Sequence, residues 1–274
     1  MYLTGYIHRI EELLKAETES AAIYAALECR LAIEHFAYER LRQAHDYISH
    51  DDLKKWKPAD IVKVLISEVD ELAAQSFTLR VAIGATEEIK SEDKLEYVQN
   101  LDYKYLGEHI GFSAAKLNGF WHALSNLALH ISLPETSDEE VRYASEPDAI
   151  KTKVHQALEE LKRLNTSTVY TNGFGKEVAF NCICGKPNKR RMYSLTDGKI
   201  VSCIDSHCSE TYVFRSNGAN FERRTLPVIC KHCENLNLYP ARRIERTSIS
   251  DNLKEVCLQC GNEIIIRWQP MYCE

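Results

Sequence analysis

The sequence predicts a mainly α-helical N-terminal bundle carrying a small β-hairpin, followed by small all-β modules. Two observations predict it. Across roughly the first 165 residues, apolar side chains recur at helical spacing in runs nearly free of glycine and proline. Beyond them, eight of the ten cysteines form four close pairs between Cys182 and Cys260, set among turn residues and short alternating segments.

The elements follow in order. Residues 2–16 read as a helix through Leu3, Ile7, Ile10, Leu13 and Leu14. Thr18 to Ser49 reads as a long helix whose apolar stripe runs through Ile23, Ala26, Leu27, Leu31, Tyr38, Leu41 and Ile48. Asp51, Asp52, Trp56 and Lys57 mark a break, and Pro58 suits the first turn of a helix reaching about Gln75. Phe77 to Ile83 alternates and is β-branched, so a strand is expected, ended by Gly84 and paired with Glu96–Gln99. Residues 101–131 read as helix, Pro134–Asp138 as a loop, and Pro147–Leu164 as a charged helix with Ile150, Val154, Leu158 and Leu161 on one side. The character changes from Asn165 onward. The expected domains are residues 1–168, 169–225 and 226–274.

Charge follows the same division. The net charge of −6 splits into −10 for residues 1–164 and +4 for residues 165–274. No run of about 18 apolar residues occurs, so no membrane span is expected. His8 and Arg9 interrupt the N-terminal apolar pattern, which argues against a signal peptide. Cysteines in close pairs without an export signal point to metal binding in the cytoplasm rather than to disulfides. Cys29 is expected to be a buried small apolar residue and Cys273 a free terminal thiol.

Cys230-x-x-Cys233 and Cys257-x-x-Cys260 are separated by 23 residues of strand-like sequence. Two such knuckles each offer two thiolates, and Zn²⁺ closes a tetrahedron from four. Gly261 permits the positive φ the second knuckle turn needs. Residues 226–268 resemble the zinc-ribbon family. His232, inside the first knuckle, is expected to face solvent. The other module pairs Cys182-x-Cys184 with Cys203-x₄-Cys208, and His207 competes with Cys208 for the fourth position. A hairpin is expected over residues 192–202, turning at Asp197–Gly198. Two structural zinc ions are therefore expected, each in a closed site. A redox reading of Cys-x-x-Cys fails because neither copy opens a helix in a βαβ unit.

Lys186, Lys189, Arg190 and Arg191 follow the first knuckle, and Arg242, Arg243 and Arg246 lie between the second module's cysteine pairs. Phe180, Tyr193, Tyr212, Phe214 and Tyr239 are interleaved. Charge with aromatic rings suits nucleic acid, RNA being favoured, with a protein partner as the alternative. The plainer reading is that the cations offset the roughly −2 charge of each Cys₄ zinc site.

In the long helix, Arg30-Leu-Ala-Ile-Glu-His35 sets an arginine five residues before a histidine. This segment, within residues 1 to about 130, resembles the HEPN superfamily of helical bundles. The resemblance implies a metal-independent endoribonuclease of prokaryotic antiviral defence. His35 would be the base for the ribose 2′-hydroxyl and Arg30 the cation for the developing phosphorane. Five residues turn about 140° around a helix, so the pair does not share one face. In the family a homodimer builds the cleft from two copies. Here Leu31 stands where the family usually carries a polar residue. The alternative is an Arg30–Glu34 pair at i,i+4 with a solvated His35. Asn118, His122, Asn126 and His130 form a four-residue ladder, expected either to face Arg30 or Glu34 or to lie on the surface. Two functions follow: an endoribonuclease, or a non-catalytic adaptor whose modules bind nucleic acid or protein.

Overall fold

The computed structural model describes residues 3–49, 58–84, 99, 101–130, 146–170 and 173–268. The chain divides into two compact units, Met1–Gln43 with Trp56–Phe174, and Ala44–Lys55 with Gly175–Glu274. The first holds helices α1 (Thr4–Lys15), α2 (Glu19–Gln43), α3 (Pro58–Val64), α4 (Ala114–Ala128) and α5 (Pro147–Asn165), with strands β1 (Phe77–Ala82) and β2 (Tyr103–His109). Among the described residues, the second holds nine short strands in antiparallel sheets of two or three. No described helix is long and apolar enough to cross a membrane.

Helix α2 is the axis of the first unit and packs against α1, α3, α4 and α5. Its composition explains this. Ala21, Ala22, Ala25, Ala26, Cys29, Ala32, Ile33, Phe36, Ala37 and Leu41 are buried, and the small side chains let neighbours approach from several directions. The expected stripe is therefore displaced: Leu31 and Tyr38 are exposed. Cys29 is buried as expected, which pushes its thiol up to about 12. Helix α5 buries Ile150, Val154, Leu158 and Leu161, and Pro147 opens its first turn.

Three expectations need correction. Helix α2 ends at Gln43 and turns follow, rather than the helix continuing to Ser49. Helix α3 is short and gives way to a π turn at Leu65–Val69 rather than continuing to Gln75. Residues 103–109 are strand, not helix, and they are the partner of β1, pairing Phe77 with His109 and Ala82 with Tyr103. Residues 96–98, expected in that role, lie outside the described residues, as do the breaks at 51–57, the loop at 134–138 and Cys273. Helix α4 begins only after β2, capped by the Ser113 hydroxyl, which accepts from the Lys116 N–H at 3.2 Å. Gly107 is required in β2, since a Cβ there would sit 2.5 Å from the Val169 side chain. That close approach lets the Thr168 and Val169 N–H groups donate to the Glu108 carbonyl.

In the second unit the strands are β3 (Glu177–Asn181), β4 (Pro187–Arg191), β5 (Ile200–Ser202), β6 (Thr211–Arg215), β7 (Asn220–Arg223), β8 (Thr225–Ile229), β9 (Leu236–Pro240), β10 (Leu253–Val256) and β11 (Glu263–Ile266). They pair as β3–β4, β5–β6–β7, β8–β9 and β10–β11. A one-turn helix, α6 (Ala241–Glu245), follows β9. Gly198 does occupy a turn with φ +81°. However, β5 pairs with β6 and not with residues 192–196, where a 3₁₀ turn stands. Two small cores result. One joins Cys182, Leu195, Val201, Cys203, Tyr212 and Phe214, and the other Cys230, Tyr239, Ile244, Cys257 and Ile264. The segment after α2 belongs to this unit: the Tyr47 hydroxyl donates to Glu177, and the Arg191 guanidinium lies 4.6 Å above the Tyr47 ring.

Candidate metal centres

The eight paired cysteines converge into two clusters. Cys182, Cys184, Cys203 and Cys208 form one, and Cys230, Cys233, Cys257 and Cys260 the other, with all sulfurs of a cluster within 4.8 Å of one another. The nearest sulfurs are 3.6 Å apart for Cys182–Cys208, 3.7 Å for Cys184–Cys203, 3.7 Å for Cys230–Cys260 and 3.6 Å for Cys233–Cys257. A tetrahedral zinc with bonds of about 2.3 Å spaces its sulfurs about 3.8 Å apart, so both sets fit the ion. His207 is not part of the first cluster. Its side chain is 95% exposed and its Nδ1 lies 3.7 Å from Asp205, which leaves Cys208 as the fourth donor. His232 is exposed, as expected.

Local backbone geometry builds each knuckle. The Cys230 N–H donates to the Asn235 carbonyl at 3.0 Å and the Glu234 N–H back to the Cys230 carbonyl at 2.9 Å. The second knuckle repeats this from Cys257 to Asn262 at 2.8 Å and from Gly261 to Cys257 at 3.0 Å. In the first module the Cys182 N–H reaches Lys186 at 3.0 Å and the Gly185 N–H reaches Cys182 at 2.8 Å. The residue after the second cysteine is left-handed in all three: Gly185 at φ +87°, Glu234 at +59° and Gly261 at +74°. Glycine suits two of these turns, while Glu234 adopts the conformation with a Cβ.

Two buried asparagines tie the knuckles together, and sequence reasoning missed both. Asn188 Oδ1 accepts from the Ile204 N–H at 2.9 Å while its Nδ2 donates to the Lys186 carbonyl at 2.8 Å. Asn237 does the same, accepting from Leu258 at 2.9 Å and donating to Asn235 at 3.1 Å. Each asparagine stands four residues after the second cysteine of its module, and each donor N–H is one residue after the third cysteine. The repeated Cys-x₃-Asn was the available signal. Further donors reach the sulfurs: Tyr212 Oη to Cys182 at 3.3 Å, Asn235 to Cys233 at 3.5 Å and Asn262 to Cys260 at 3.4 Å.

These surroundings split the acidities of neighbouring thiols. Donation from the Cys260 and Gln259 N–H groups lowers Cys257 to about 6. Burial raises Cys203 to about 11 and raises Cys208 further still. Four thiols this close resist joint ionisation, because each thiolate repels the next. A divalent cation at the centre relieves that repulsion. The donor set therefore suits a metal that takes four thiolates and leaves no open position.

The other predicted residues are not brought into one site. Arg30 is partly buried, pairs with Glu34 at 3.2 Å and lies 4.3 Å above the Trp121 ring. Trp121 Nε1 donates to the same Glu34 carboxylate at 2.7 Å. His35 packs instead against Tyr6, ring centroids 5.5 Å apart. His122, Asn126 and His130 are exposed and Asn118 is half-buried, so the ladder does not face Arg30; Trp121 does.

The basic residues divide by exposure. Arg190 is buried and donates to the Lys189 and Ser202 carbonyls. Arg191 is buried and bonds the Gly175 carbonyl at 2.7 Å and Glu177 at 2.9 Å. Arg242 is buried as well. Lys186, Lys189, Arg243 and Arg246 are exposed, with Lys189 3.7 Å from Glu177 and Arg243 2.8 Å from Glu255. Alternation along β4, which turns Asn188 and Arg190 inward and Lys189 outward, accounts for part of this division.

Comparison with protein-family models, with curated proteins and with solved structures found no match.

Proposed function

We propose that this chain is a non-catalytic adaptor whose C-terminal unit is held by two structural zinc ions and presents a surface to a partner. The observation that carries this reading is the knot of Arg30, Glu34 and Trp121. It engages the one guanidinium that the ribonuclease reading needs for transition-state charge. The cysteine clusters support it too, since four thiols fill every position of a tetrahedral ion and leave none for substrate.

Zinc is the ion best matched to the sulfur spacing and the Cys-x-x-Cys knuckles. As a partner, protein is favoured over RNA. Three of the seven basic residues suggested for phosphate are buried, and two of the exposed ones already face carboxylates. The test is incubation of the purified chain with total RNA in EDTA beside a His35→Ala control. The adaptor reading expects no cleavage that depends on His35. Cleavage by the native chain that the substitution abolishes would overturn it.

A further inference from the structure

We infer that the second cysteine module binds an extended acidic peptide, added as a strand along β11. This rests on the adaptor reading and names its surface and the chemistry of its partner. The site is a groove of about 470 Å³ lined by Val228, Ile229, Lys231, His232 and residues 263–267.

Register leaves both bordering strands with an edge that no described residue pairs with. The Cys230 N–H bonds to Asn235, so the next pair, Ile229 with Leu236, is a non-hydrogen-bonded pair of the β8–β9 ladder. The Cys257 N–H bonds to Asn262, which makes Val256–Glu263 and Lys254–Ile265 non-hydrogen-bonded pairs of the β10–β11 ladder. The main-chain N–H and C=O groups of Ile229, Glu263 and Ile265 thus point away from their partners. β8 and β11 line the groove, while no residue of β9 or β10 does. Pro227 lacks an N–H on the β8 side, whereas β11 carries no proline, so β11 is the better template. Unpaired strand edges of this kind are where peptides add.

The lining selects the peptide. Val228, Ile264 and Ile266 give an apolar floor, and Ile229 and Ile265 are exposed beside it. Lys231, His232 and Arg267 are exposed and form no ion pair with a described residue. The one carboxylate in the groove, Glu263, is already engaged by Lys254 at 3.2 Å. An incoming strand with alternating acidic and apolar side chains satisfies both surfaces at once. The groove has no Phe, Tyr or Trp among its lining residues, and the single imidazole of His232 is a poor platform for stacking the successive bases of RNA.

The test is fluorescence anisotropy on the full zinc-loaded chain with a labelled decapeptide of alternating aspartate and valine. Controls are the same peptide N-methylated at alternate residues, a lysine–valine peptide and an oligouridylate. We expect the acidic peptide to bind and each control to bind at least about tenfold more weakly. Ile265→Pro removes an N–H that the ladder does not use, and K231E/R267E reverses the rim charge. Each should weaken the acidic peptide about tenfold while elemental analysis still finds two zinc ions. Equal binding of the N-methylated peptide, or unchanged affinity in both variants, overturns the proposal. So does preference for oligouridylate, or absence of binding by the acidic peptide. Any of these with no His35-dependent RNA cleavage removes the groove and leaves the adaptor reading intact.

Discussion

The two units are held together by different means. In the first, α2 buries ten apolar residues against four other helices, and cohesion is spread over many small side chains. In the second, the cores contain six and five buried residues, and two of each are cysteines of a metal cluster. Cores that small cannot offset the entropy of ordering roughly a hundred residues. The difference teaches that only one unit owes its fold to packing alone. The other brings eight sulfurs into two sets that could each close on a metal ion, and on the proposed reading those ions supply what packing does not.

The sharpest way to break this comparison is Cys257→Ser. Structural zinc contributes about 10–16 kcal/mol to small metal domains. The variant should lose one ion and the β structure of its module, while far-UV helicity persists through the same thermal melt. Joint loss of the helical signal would show that the units are not separately stabilised.

The next effect belongs to the helical unit. His109 is fully buried, its Nε2 3.2 Å from the Ala73 carbonyl and its Nδ1 3.5 Å from Arg40, with Phe77 stacked on the ring at 4.8 Å. His109→Ala should cost about 3 kcal/mol by chemical denaturation, leaving zinc content unchanged. Burial lowers its pKa, so the folded state keeps the ring neutral. As pH falls below the unfolded value of about 6.5, the unfolded chain takes up the proton first and stability declines toward the lowered folded value. His109→Gln should flatten that acid-side decline. An unaltered slope would show that His109 does not govern it.

Smaller effects sharpen the comparison. Asn237→Ala strands the Leu258 N–H and frees one knuckle from the other. It should lower the module's stability by about 1–3 kcal/mol and its metal affinity about 10–100-fold, read by chelator competition. Asn188→Ala should do the same to the first module only. Smallest is Arg30→Ala, expected to cost about 1 kcal/mol, because its ion pair is partly solvated and screened. A stability gain there, together with lost RNA cleavage, would return Arg30 to the catalytic role.

The cysteine clusters are legible in the sequence because each pair is local: two thiols within six residues, and in three of the four pairs a left-handed turn residue after the second. The helices α1 and α5 are legible for a similar reason, since a single apolar face sets their period. The buried face of α2 is hidden because alanine carries little weight in such a pattern, though its small volume is what lets four helices close on it. Strand β2 reads as helix because its pairing signal lies in β1, more than twenty residues away. Arg190, Arg191 and Arg242 read as surface because charge normally is, and only the tertiary fold brings carbonyls and Tyr47 to the first two. Asn188 and Asn237 escape notice because asparagine near a turn is ordinary, while its reach to the opposite knuckle is not local.

Two four-sulfur sites should each hold an ion, and these ions should hold the C-terminal unit. Native mass spectrometry of the purified full chain, before and after chelation, tests this most directly. A mass excess of two zinc ions per chain is expected. Their removal should broaden the charge-state distribution as the C-terminal unit unfolds, with helical circular dichroism retained. One ion or none in the purified chain, or an unchanged distribution once both are removed, would contradict it.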